Sequence, residues 1–173
     1  NYEILELEWD NLFNYGKKNK LDFTKYTGIT GIFGKNFSGK SSIVDSLLFT
    51  IYNSISKNSR KSVNIVNNDK TEGSGRVKIK RGNKVYTISR KVEKYLKKLK
   101  GKETVEAKTI LDFKCTDLLT EETHSLNGLT RADTDRNIVK YFGTIEDFLL
   151  TSMSSQLGAL NFIGEGSTKR KEI

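Results

Sequence analysis

Apolar residues recur along the chain in two spacings, and the switches between them outline its elements. Ile4, Leu5, Leu7 and Trp9, then Leu21 and Phe23, then Ile29, Ile32 and Phe33 form short runs that end at Gly34, the pattern of β-strands. After Ser41 the spacing changes. Ile43, Val44, Leu47, Leu48, Ile51 and Tyr52 recur at i, i+1, i+4 and i+5, which places them on one stripe of a helix. The opening third therefore reads as strand, glycine loop, helix.

Residues 54–61 are polar and basic and read as a loop, followed by a short apolar stretch around Val63 and Val66. Val77 and Ile79, the turn Arg81-Gly82-Asn83-Lys84, and Val85, Tyr86 and Ile88 predict a hairpin, with Gly82 at a turn position that needs positive φ. A third strand is expected over Val105–Cys115, giving an antiparallel basic β region from about 62 to 127. Two helix starts follow, each a threonine with an aspartate three residues on: Thr130 with Asp133, and Thr144 with Asp147. Gly143 is placed to close the first of them. The tail from Gly164 ends in Lys169, Arg170, Lys171 and Glu172, as though a further helix begins at about 166–173. The fold class is α/β.

At 173 residues the chain suits one domain, since a chain of this size buries about 70% of its unfolded surface. A hydrophobic share of 35% against 29% charged is enough to fold. No apolar run of about 18 residues offers a membrane span, and no basic-then-apolar N-terminus offers a secretory signal. An intracellular protein is expected, cytoplasmic or nucleoid-associated. The complete lack of proline and of an initiating methionine suggests an excerpt of a longer protein. Cys115 is the sole cysteine, which excludes an internal disulfide and reads as a small core residue; His124, also alone, reads as a surface or turn residue.

The net charge of +9 attracts anionic partners at long range, nucleic acid foremost. It is unevenly placed, with twelve Lys or Arg against the single acid Glu93 between Arg76 and Lys102. Phosphate contacts need sequence-indifferent cations, so Arg76, Lys78, Lys80, Arg81, Lys97, Lys98 and Lys100 are the candidate DNA-binding residues. The competing reading is a solvated, highly charged hairpin. Tyr86 and Tyr95, interleaved with these charges, are assigned to packing.

The sharpest chemistry lies at residues 34–42. Gly34, Lys35, Asn36, Phe37, Ser38, Gly39, Lys40 and Ser41 match the G-x-x-x-x-G-K-[ST] phosphate loop at every fixed position, with the required strand before and helix after. The glycines let backbone N–H groups point inward at phosphates, and the positive end of the following helix adds to the attraction. Lys40 is expected on the β- and γ-phosphates of ATP, the Ser41 hydroxyl on Mg²⁺, and Ser42 on the α-phosphate. Asn19-Lys20-Leu21-Asp22 fits the guanine-reading N-K-x-D pattern but precedes the loop where GTPases place it after, so it reads as coincidence. No apolar run ends in Asp-Glu; Ile110-Leu111-Asp112 comes nearest and is followed by Phe113, so the hydrolytic carboxylate is not in this stretch.

Several segments together resemble the N-terminal half of the SbcC-type DNA-repair ATPases, SMC-like members of the ABC class that include phage recombination-endonuclease subunits. They are the opening strand with Asn11-Leu12-Phe13-Asn14-Tyr15-Gly16, the loop Gly34–Ser42, and the stretch from Asn137 through Phe148 to Gln156. Lys169–Ile173 is similar to the family's entry into its long coiled coil. The resemblance implies a half-head with a mixed sheet, an antiparallel β subdomain and C-terminal helices, and it makes residues 130–163 the part that carries the Q-loop glutamine, Gln156, near Mg²⁺ and the attacking water. It further implies ATP and Mg²⁺ as cofactors, and as partners the C-terminal half of the same head, a second head, an SbcD-type nuclease and DNA, with no membrane. Residues 1–173 alone are expected to bind nucleotide weakly and not to hydrolyse it. Three alternatives stay open: an SMC-like tether without a nuclease, a transporter-type subunit with Trp9 stacked on adenine, and a small kinase or GTPase.

Overall fold

A computed structural model of the chain describes residues 2–13, 15–24, 40–54, 64–67, 69–148 and 150. The expected strand at 29–33, loop residues 34–39, the stretch 55–63, Gln156 and the helix start at 166–173 lie outside the described residues. Among the described residues, period-two alternation builds one sheet from β1 (Glu3–Asp10), β2 (Asn19–Asp22), β3 (Glu72–Arg81), β4 (Lys84–Leu99), β5 (Lys102–Asp117) and β6 (Thr123–Ser125). Their order is β2-β1-β3-β4-β5-β6, and every neighbouring pair is antiparallel. Among the described residues three helices accompany it: α1 (Lys40–Tyr52), α2 (Arg131–Phe142) and α3 (Ile145–Phe148). The α/β class and the antiparallel β region followed by helices are those expected.

Turn chemistry sets the register. Gly82 has φ 58°, the left-handed conformation the β3–β4 turn was expected to need. A second two-residue turn, Lys100-Gly101, has φ 51° and 77°, and it lengthens the expected third strand to the 16 residues of β5. Since β3 pairs with β4 only as far as Glu72 opposite Glu93, the segments Lys94–Leu99 and Lys102–Ala107 continue as a two-stranded arm.

Alternate residues of each strand face the core. Ile4, Leu7 and Trp9 of β1, Val77 and Ile79 of β3, Tyr86, Ile88 and Val92 of β4, and Phe113 and Cys115 of β5 are all buried. Against this face lies α1. A helical stripe was expected there, but Ser46, Leu47, Leu48, Phe49, Thr50 and Ile51 are all buried, and six consecutive residues exceed one turn of about 3.6. The helix is central rather than amphipathic, because the sheet covers one side while α2 and α3 close in from others: the Tyr52 ring meets Phe148 edge-on at 5.8 Å, and its hydroxyl donates to the Gly143 carbonyl at 3.1 Å.

Both threonine caps are present. At α2 the Thr130 hydroxyl accepts from the Asp133 N–H at 3.2 Å while the Asp133 carboxylate accepts from the Thr130 N–H, and Gly143 ends the helix at φ 79° with its N–H on the Val139 carbonyl. Thr144 and Asp147 repeat the reciprocal pair at α3. Cys115 is a core residue and His124 an exposed one, as read from sequence. Tyr86 packs in the core, but Tyr95 does not: it is 48% exposed on the arm, beyond the reach of β3.

Candidate functional site

The loop side of the site is described only from Lys40, the first residue of α1, so Gly34–Gly39 and the Gln156 segment lie outside the described residues. Lys40, Ser41 and Ser42 form the first helical turn, the place where N–H groups have no partner within the helix and where the helix dipole is positive. No acidic side chain lies in that first turn to compete for them. The local sequence accounts for this start: a glycine-rich stretch ends where the apolar helical spacing begins.

The opposite end of α1 is held from the sheet. Arg90, on the core face of β4 and 0% exposed, donates from Nε to the Thr50 carbonyl and from Nη2 to the Ile51 carbonyl, both at 3.1 Å. The same Nη2 donates to Asp135 Oδ1 of α2 at 2.7 Å, and Nη1 finds no acceptor among the described residues. Burial holds the guanidinium below its ordinary range, and the hydrogen-bonded Asp135 offsets part of that. Sequence reading had counted Arg90 into a basic surface patch. The signal that it belongs elsewhere was its phase, since Tyr86, Ile88, Arg90 and Val92 alternate on one face.

Close approach explains a neighbouring glycine. Gly75 lies opposite Arg90 in the β3–β4 ladder, and a Cβ built there would stand 1.9 Å from the Thr50 hydroxyl of α1. The helix end thus sits directly on the strand pair.

The candidate DNA-binding residues are not brought together. Arg76 and Lys78 lie on the outer face, where β1 supplies acids: Lys78 Nζ is 3.3 Å from Glu6 and Arg76 Nη1 is 3.9 Å from Glu8. Lys20 of β2 joins the same ladder, 3.5 Å from Glu6. Arg81 donates to the Tyr2 hydroxyl at 2.7 Å, at the turn end of β3. Lys97, Lys98 and Lys100 stand on the arm; from Ser89, the partner of Arg76, to Lys97 the strand advances eight residues, about 26 Å at 3.3 Å each. Lys98 is 3.3 Å from Glu103, whereas Lys80, Lys97 and Lys100 have no ion pair among the described residues. Residues 94–108 hold six lysines against Glu103 and Glu106, so the excess positive charge concentrates on the arm.

Among the described residues no group of His, Cys, Asp and Glu could hold a metal ion, and no helix is long and apolar enough to cross a membrane.

A family model described as AAA domain matches residues 6–172. An uncharacterized protein of Acanthamoeba polyphaga mimivirus is 32% identical over 176 residues, a match covering 99% of this chain and 12% of that protein. Among solved structures the chain is similar to the recombination mediator protein RecF-ATP of the RecFOR pathway, with 16% identity and a TM-score of 0.38 over 61% of this chain and 26% of that one. Its RecF-ATPrS form matches with 20% identity and a TM-score of 0.39 over the same shares. The chain thus spans about an eighth of that viral protein and about a quarter of each of these RecF chains.

Proposed function

The chain belongs to the AAA domain family, and from that premise we propose that it is the ATP-binding lobe of an SbcC-type ATPase head. The observation that carries the reading is α1: a central helix, buried through its second half, begins at Lys40 where the glycine loop 34–39 ends. Phosphates at that loop would meet the free N–H groups of the first turn. Lys40 would counter the β- and γ-phosphate charge and Ser41 would ligate Mg²⁺, whose chemistry is to neutralise charge that develops on the phosphates. Loop residues Gly34, Lys35, Asn36, Phe37, Ser38 and Gly39 would supply the cradle, with Ser42 on the α-phosphate.

Covalent reach supports a part for Gln156. Phe148 packs on Tyr52 at the far end of α1, and the helix rises about 18 Å from Tyr52 back to Lys40. Eight residues from Phe148 to Gln156 can span up to about 27 Å, enough to bring that glutamine to the phosphates.

A C-terminal half would complete the head and supply the hydrolytic carboxylate, and a second head would pair with it. ATP would favour the closed pair by its γ-phosphate contacts, and an SbcD-type nuclease would respond to closure on DNA. Calorimetry with ATP and GTP tests the core of this. Residues 1–173 are expected to bind ATP in preference to GTP without turnover, and phosphate release is expected only once the remainder of the protein is supplied. Turnover of GTP by the isolated segment would contradict the reading.

DNA binding is assigned mainly to the arm, because the outer-face cations are matched by Glu6 and Glu8 while the arm lysines are in excess. Converting Lys97, Lys98 and Lys100 to glutamate in the full-length protein is expected to lower the salt slope of duplex binding by about 3, near one unit per lost phosphate contact. An unchanged slope would leave the arm a solvated hairpin.

A further inference from the structure

A helix that presents phosphate-binding groups at one end has to be fixed along its axis at the other. Apolar packing holds α1 against the sheet, but that attraction is non-directional and resists separation more than sliding. Directional contacts at the C-terminal end come from Arg90, whose planar fork bonds two successive carbonyls, Thr50 and Ile51, and is itself oriented by Asp135. Those carbonyls form the negative end of the helix dipole, so a buried cation is stabilised there.

We propose that Arg90 is a positioning residue for phosphate binding: by fixing α1 axially it sets where the first-turn N–H groups and Lys40 stand. This rests on the nucleotide reading above. A helix transmits axial displacement along its length, so a slip at Ile51 reappears at Lys40. Because Asp135 belongs to α2, the same guanidinium also sets α1 against the limb that continues through α3 towards Gln156. Lysine at position 90 keeps the charge but, as a point donor, cannot hold both carbonyls and the carboxylate in one plane.

The test uses full-length protein, wild type, Arg90→Lys and Asp135→Asn, at a temperature where circular dichroism shows each folded. Calorimetry is run with ATP and, separately, with inorganic tripolyphosphate, which reports the phosphate contacts without the base. Arg90→Lys is expected to weaken both probes by a similar factor, about 10- to 100-fold, the scale set by a misplacement of about 1 Å. Asp135→Asn, which leaves both bonds to α1 in place, is expected to lose several-fold on both. A purely structural role would lower the unfolding temperature and leave the affinities of the folded protein unchanged; unchanged affinity in either folded variant overturns the proposal. Should Arg90→Lys not fold, Asp135→Asn decides by the same criterion. Wild-type protein that binds neither probe would instead remove the nucleotide reading itself, and the positioning role with it.

Discussion

Gly75→Ala is expected to destabilise the protein by about 2 to 3 kcal/mol, the upper range for overpacking a core. The added Cβ would stand 1.9 Å from the Thr50 hydroxyl and 3.1 Å from its Cβ. Thr50 cannot simply turn aside: it is β-branched and buried, its hydroxyl donates to the Ser46 carbonyl at 2.7 Å, and rotation would swing its methyl into the same space. The helix or the strand has to move instead, and Arg90, opposite Gly75, is tied to both. For a domain of this size the loss corresponds to a fall of roughly 6 to 10 °C in the unfolding midpoint. The specific cause is testable by a double-mutant cycle. Thr50→Ala should recover most of the loss in the Gly75→Ala background although it is mildly destabilising alone, and strictly additive effects would show that the clash is not the reason.

Lys40→Ala is expected to weaken ATP binding by about 100-fold or more, since two charge-assisted hydrogen bonds to phosphate at about 1.5 kcal/mol or more each exceed two powers of ten. The fold should not change. Alanine is the strongest helix former and position 40 opens α1, so helicity by circular dichroism should match the wild type. Calorimetry with ATP and Mg²⁺ decides the matter; a variant that binds as the parent does would place the phosphates elsewhere than at residues 34–42.

Much of the molecule was legible because its rules are local. A glycine loop followed by 3.6-residue spacing announced α1, which begins at Lys40, ahead of the apolar spacing that starts at Ile43; two threonine–aspartate pairs placed α2 and α3, and Gly82 placed the β3–β4 turn. Each signal spans a few residues, within which backbone sterics and short-range hydrogen bonds decide the outcome. The extension of the β4–β5 hairpin was missed although Lys100-Gly101 carries turn chemistry, because the arm beyond Glu93 lacks the apolar alternation by which strands are recognised.

What remained hidden depended on which distant segments become neighbours. Twelve cations against one acid looked like a single surface only while the chain was read as a line; pairing β1 beside β3 set Glu6 and Glu8 against Lys78 and Arg76, about 70 residues away in sequence. The burial of the second half of α1 on every side, the need for glycine at 75 and the passage of Arg90 from a charge patch to the end of a helix have the same origin. Local sequence thus determined the elements and the glycine-loop pattern that precedes α1. Tertiary structure decided which charges are matched, which are buried and which stay free on the arm, because strand pairing and helix docking choose partners that no short window of sequence contains.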